Sequence, residues 1–187
     1  MYFYTQPAYT RLEKIVIIPT YNEKENISSI IAAVMALPGG FHVLVIDDGS
    51  PDGTADIVRS LFPAFAGKLF LEERRGKLGL GTAYIHGFKW CLEKGYDYIF
   101  EMDCDFSHNP EDLIRLQKAC AENGGMAVGS RYIKGGKLKN WPLSRILMSY
   151  FASVYVRLVL WINVADTTAG FVGYTKSALQ ALDLSKI

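Results

Sequence analysis

Asp103 and Asp105 stand two residues apart directly after the apolar run Tyr98-Ile-Phe-Glu-Met102. Two carboxylates at that spacing, where a strand opens into a loop, can approach one hard cation such as Mg2+ or Mn2+ beside substrate phosphates. An isolated pair of this kind is also what a solvated turn looks like, so the rest of the chain has to decide. Two further polar clusters do so. Pro19-Thr-Tyr-Asn-Glu23 follows the run Ile15-Val-Ile-Ile18, and Asp47-Asp48 follows Val43-Leu-Val-Ile46. Acids gathered at three strand ends repel one another unless a cation or the donors of a ligand compensate, which argues for a shared site. Cys104, between the two aspartates, reads by its spacing as a small apolar residue pointing to the opposite face.

Strands and helices in alternation must position these groups. Continuous β-branched runs such as Ile15–Ile18 mark strands buried on both faces. Between the runs the pattern predicts helices over about Glu25 to Leu37, Thr54 to Leu61 and Gly81 to Glu93, with strands near Leu69 to Leu71, Tyr96 to Met102 and Met126 to Gly129. Asn109-Pro110-Glu111-Asp112 has the make-up of a helix start. Apolar positions Ile146, Leu147, Tyr150, Phe151, Val154, Leu158 and Trp161 recur at three and four, giving an amphipathic helix that either packs on the core or lies at a lipid interface. Such alternation implies an α/β fold with a mostly parallel central sheet covered by helices on both faces, and ligands bind such sheets beyond the carboxyl ends of the strands. The three acidic clusters then share one edge. Residues 1–13 read as a loosely attached arm and 14–187 as one domain.

Bulk properties narrow the partners. With 187 residues, half of them hydrophobic, the chain suits one buried core. A net charge of +1 gives no footprint for nucleic acid over the whole surface. Cys91, Cys104 and Cys120 lack zinc spacing, and the N-terminus lacks a signal-peptide layout, which fits a cytoplasmic setting. No window reaches the roughly 18 apolar residues that cross a bilayer; the nearest is broken by Arg157.

The chain resembles the family 2 glycosyltransferases of the GT-A fold, and more narrowly the polyprenol-phosphate (dolichol-phosphate) mannose synthases. The resemblance runs from Lys14 onward. It rests on Ile18-Pro-Thr-Tyr-Asn-Glu23, Val45-Ile-Asp-Asp-Gly-Ser-Pro-Asp-Gly-Thr54, Arg75-Gly-Lys-Leu-Gly-Leu-Gly-Thr-Ala83, Met102-Asp-Cys-Asp-Phe-Ser-His-Asn-Pro110, Gly129-Ser-Arg131, Leu143-Ser-Arg145 and Asp166-Thr-Thr-Ala-Gly-Phe171. It implies that Pro19, Tyr21 and Glu23 hold the base and ribose of a nucleotide sugar, with Asp47 and Asp48 beside the base as acceptors. Asp103, Cys104 and Asp105 match the loop that binds the sugar diphosphate and its metal, Mg2+ or Mn2+. Ser107 stands where relatives often present a Gln near that metal. Arg131 and Arg145 match basic residues facing phosphates, a task suited to a guanidinium fork. Asp105, Arg131 and Arg145 are the expected catalytic residues. Gly76-Lys-Leu-Gly-Leu-Gly81 lacks the layout of a dinucleotide fingerprint; it either brings Lys77 or its backbone to the donor phosphate or is a glycine-rich helix entry.

The activity implied is inverting transfer of a sugar, mannose from GDP-mannose, to a polyprenyl phosphate at a membrane surface. A UDP-sugar transferase and a non-catalytic nucleotide-sugar-binding module are the alternatives. A phosphate monoester with a second pKa of about 6 is already anionic at neutral pH, so this acceptor needs no general base. Relatives continue beyond the Thr-Ala-Gly-Phe motif, so the domain is expected to lack its C-terminal part.

Overall fold

In this computed structural model, residues 12–130, 143–161 and 164–186 are described, without the side chains of 143–147. The apolar runs form strands β1 (Lys14–Thr20), β2 (Phe41–Asp47), β3 (Leu69–Glu73), β4 (Tyr98–Glu101), β5 (Met126–Val128) and β6 (Val172–Thr175). They make one six-stranded sheet in the order β3-β2-β1-β4-β6-β5. β1, β2, β3 and β4 pair in parallel, while β6 runs antiparallel to both β4 and β5. β1 continues through Pro19, which pairs with Ile46, so this proline lies inside the strand and not in the loop beyond it.

Helices cover both faces, as the uninterrupted apolar strands require. On one face Val16, Ile18, Val43 and Val45 meet α1 (Ile27–Met35), α2 (Thr54–Leu61) and α4 (Asp112–Asn123) through Ile31, Val58 and Leu116. On the other, Ile15, Ile17, Leu44 and Ile46 meet α3 (Leu80–Lys94) and α6 (Lys176–Gln180) through Phe88, Cys91 and Leu179. Strand side chains alternate between the two cores, residue by residue. α4 begins at Asp112, two residues later than its start signal: Asn109 Oδ1 accepts the Glu111 N–H at 3.3 Å and closes a turn that feeds the helix.

The last long helix, α5 (Leu143–Leu160), is turned outward. Ser153 is buried, while Met148, Phe151, Tyr155, Leu158 (71% exposed) and the following Trp161 (94% exposed) are turned toward the surface. Of the two readings of its apolar stripe, packing on the core does not hold for these residues. Among the described residues no helix is long and apolar enough to cross a membrane. Arg131, the loop with Gly135 and Gly136, and most of the N-terminal arm lie outside the described residues.

Candidate active site

β1 sits between β2 and β4, all three parallel, so the loops that follow them leave from one edge of the sheet. The strand order reverses between β1 and β4, the point where a crevice opens in sheets of this kind. Asp48 and Asp103 therefore lie on the same edge.

The two acids after β2 do different work. Asp47 is 1% exposed. Its Oδ1 accepts the hydroxyls of Thr20 at 2.8 Å and Ser50 at 2.6 Å, and its Oδ2 accepts the Ser50 N–H at 2.8 Å. Its carboxylate thus braces the loops after β1 and β2 against each other. Asp48 turns the other way. Its Oδ1 accepts from Arg74 Nε at 2.6 Å and lies in ion-pair contact with Nη2 at 2.5 Å, and its Oδ2 accepts the Leu78 N–H at 3.1 Å. Arg74 also donates to Thr82 Oγ1 at 2.8 Å and to the Gly79 carbonyl at 3.1 Å. Both side chains of the pair are 8% exposed, a setting in which a guanidinium fork keeps several acceptors satisfied at once. Asp48 Oδ2 retains capacity for a second donor.

The pair fixes the glycine-rich segment from Arg74 to Gly79 as a strap across the end of β2. Gly49 permits the close approach: its φ is +68°, and a Cβ there would stand 3.1 Å from the Gly76 nitrogen. The strap reaches the loop after β1 as well, where Lys77 Nζ lies 4.6 Å from the centre of the Tyr21 ring. Glu23 is anchored nearby, its N–H donating to Thr54 Oγ1 at 3.0 Å and its Oε2 accepting from Asn26 at 3.0 Å. The sequence motif was drawn from Arg75, so Arg74 was missed.

Beyond β4, Asp103 is half-buried and Asp105 exposed. The Tyr84 hydroxyl donates to Asp103 Oδ1 at 3.4 Å, and the Ser107 N–H to Asp105 Oδ1 at 2.9 Å. The link from Ser107 that the structure gives is thus a backbone bond that holds Asp105. Cys104 is a core residue, packed with Met102 and Phe171, and burial pushes its thiol up to about 12. Glu101 shares the face of Asp103; burial, reinforced by the Asp103 charge and opposed by a bond from the Tyr174 hydroxyl, raises its carboxyl to about 7. The turn from Asp166 to Phe171 closes the other side. The rings of His108 and Phe171 stack at 4.9 Å, and Ser149 and Ser153 of α5 hold Thr168 and Thr167. Arg145 belongs to the first turn of α5, where side chains are not described.

Two carboxylates of hard oxygen donors suit Mg2+ or Mn2+, which are commonly held by one or two acids plus substrate phosphates. Among the described residues no group of three or more His, Cys, Asp or Glu gathers as a metal cage. A cation at Asp103 and Asp105 would therefore draw its remaining ligands from elsewhere, substrate phosphate or water.

Comparison with known proteins agrees with this geometry. The chain is 43% identical over 173 residues to a polyprenol monophosphomannose synthase of Mycolicibacterium smegmatis, spanning 92% of this chain and 65% of that protein. It is 44% identical over 171 residues to an undecaprenyl-phosphate mannosyltransferase of Micrococcus luteus, spanning 91% and 70%. The chain thus spans about two thirds of the length of these relatives. A mannosyltransferase from Pyrobaculum calidifontis, solved with GDP-mannose and Mn2+, shares the fold at a TM-score of 0.62 and 19% identity, over 91% of this chain and 46% of that one. The family described as Glycosyl transferase family 2 matches residues 15–183, nearly the whole sheet with its three acidic loops, and on that match the chain belongs to glycosyl transferase family 2.

Proposed function

We propose that this chain carries the donor side of an inverting transfer of mannose from GDP-mannose to a polyprenyl (dolichyl-type) phosphate. The observation that carries the proposal is the gathering of the loops after β1, β2 and β4 at the strand-order switch, with Asp103 and Asp105 in the last of them. The names of the relatives supply the sugar and the acceptor class.

In this reading Tyr21 and Glu23 flank the nucleoside, Asp48 accepts from the base, and Lys77 on the strap approaches the donor phosphates. Asp47 keeps the two loops in register and does not touch the donor. A divalent cation held by Asp103 and Asp105, Mg2+ or Mn2+, supplies neutralisation of the charge that builds on the diphosphate leaving group. Arg131 and Arg145 face the acceptor phosphate, whose anionic oxygen attacks the anomeric carbon from the side opposite the leaving group. The protein's main contribution is to hold two anions in line.

The acceptor carries a long apolar tail, which has to stay in a membrane while its phosphate reaches the site. The outward apolar face of α5, with Met148, Phe151, Tyr155, Leu158 and Trp161 exposed, supports a peripheral position at the membrane surface. The three buried free thiols are compatible with the cytoplasmic side.

Titration with GDP, UDP, GDP-mannose and UDP-glucose, with and without Mn2+, tests the donor. Preference for the guanine nucleotides is expected; preference for UDP-glucose overturns the assignment. Transfer of radiolabelled mannose to polyprenyl phosphate tests the reaction. Binding without transfer would make this chain a nucleotide-sugar-binding module.

A further inference from the structure

We infer that the Asp103 carboxylate is positioned in part by the Tyr84 hydroxyl and by the backbone at Gly170, and that these two residues contribute to the strength of cation binding at Asp103 and Asp105. The inference rests on reading those aspartates as the metal carboxylates.

Tyr84 belongs to α3 and is almost wholly buried, its ring stacked at 6.3 Å on Phe88 within the core. A phenylalanine would fill the same space, so the hydroxyl is not needed for packing. A buried tyrosine hydroxyl needs a partner, and among the described residues Asp103 Oδ1 is the hydrogen-bond partner recorded for it. Burial, and after it the charges of Asp103 and Glu101, push the Tyr84 phenol well above its ordinary range. At 3.4 Å the bond is long for O–H···O.

Gly170 bounds the other oxygen. A Cβ at this position would stand 3.1 Å from Asp103 Oδ2 and 3.7 Å from its Cγ and Oδ1. The nearest of these contacts is tighter than a side chain tolerates without displacing its neighbour, so the absent side chain is what leaves the carboxylate its position. Residues that orient a ligating carboxylate in this way control metal affinity by about 10–100-fold when altered.

Mn2+ binding in the presence of GDP, followed by electron paramagnetic resonance, tests the inference on the wild type, Tyr84→Phe, Gly170→Ala and Asp105→Ala. Tyr84→Phe and Gly170→Ala should each weaken Mn2+ by about tenfold or more, with GDP affinity in EDTA and the thermal melt unchanged. A merely structural role would move the melt and GDP affinity together with Mn2+. If Tyr84→Phe loses its cooperative melt, Gly170→Ala carries the same test. Loss of Mn2+ in Asp105→Ala with wild-type affinity in the other two variants overturns the positioning role alone. A wild type that binds no Mn2+ overturns the metal assignment and the inference with it.

Discussion

Removing the Arg74 guanidinium should be among the most damaging single changes near the donor edge. In Arg74→Met the apolar stem survives, but Asp48 Oδ1 loses its hydrogen bond at 2.6 Å and its ion-pair contact at 2.5 Å, and Thr82 and Gly79 lose the bonds they accept. Asp48, 8% exposed, keeps the Leu78 N–H at 3.1 Å. A buried charge stripped of its partner costs roughly 3–5 kcal/mol, more than the intact pair contributes over a neutral replacement. For a domain of this size that loss lowers the melting temperature by roughly 6–20 °C. Asp48→Asn leaves the converse problem, a buried guanidinium facing an amide. The double variant, with neither charge, should cost less than the sum of the two, with a coupling of about 1–3 kcal/mol. Urea unfolding followed by tryptophan fluorescence gives all three values. Additive losses, or a loss under about 1 kcal/mol for Arg74→Met, the scale of an exposed ion pair, would refute the view that this pair fastens the strap.

Asp105→Ala should abolish metal-dependent sugar transfer yet retain GDP binding in EDTA, and full activity by a radiolabel assay would remove Asp105 from the metal site. Glu101 titrates near 7 when folded against an ordinary 4.5, so the folded state holds this proton more tightly than the unfolded chain. Its contribution is complete below about pH 4.5 and falls as pH rises to about 7, by at most about 3 kcal/mol. Glu101→Gln should remove that decline when stability is measured in EDTA across the interval; an unaltered slope would show that Glu101 is not its source. Leu158→Glu should weaken flotation with anionic polyprenyl-phosphate vesicles without lowering the thermal melt, since the side chain is exposed; unchanged flotation would exclude this face of α5 from the membrane.

The parallel half of the sheet was legible in the sequence because β1 and β2 are runs of apolar residues with both faces covered, and a run of that kind leaves few alternatives. β6 was not. Val172-Gly-Tyr-Thr175 is short, contains a glycine and follows a motif-like turn. It is a strand because β4 and β5 offer it partners on both sides, with Phe100 and Cys120 packed against Gly173. Tertiary pairing outweighs local propensity at such a place. The stripe on α5 was equally visible as periodicity, but periodicity has no sign. It takes the small Ser149 and Ser153 docking on the Thr167-Thr168 turn to decide that the large apolar residues face outward.

The donor edge shows why residue types point to chemistry more readily than to its support. Asp47 and Asp48 are adjacent and identical, so spacing assigns them one role. The chain then turns one inward, to Thr20 and Ser50, and the other across to Arg74. Arg74 and Arg75 pose the same puzzle from the positive side, and charge pattern cannot tell which of the two is buried. Each answer lies in a contact distant in sequence: Thr20 with Asp47, Asp48 with Arg74, and Tyr84 with Asp103, 27, 26 and 19 residues apart. A carboxylate that meets a substrate has to be acidic, which the sequence displays; a residue that aims it need only arrive at the right place, and arrival is a property of the fold.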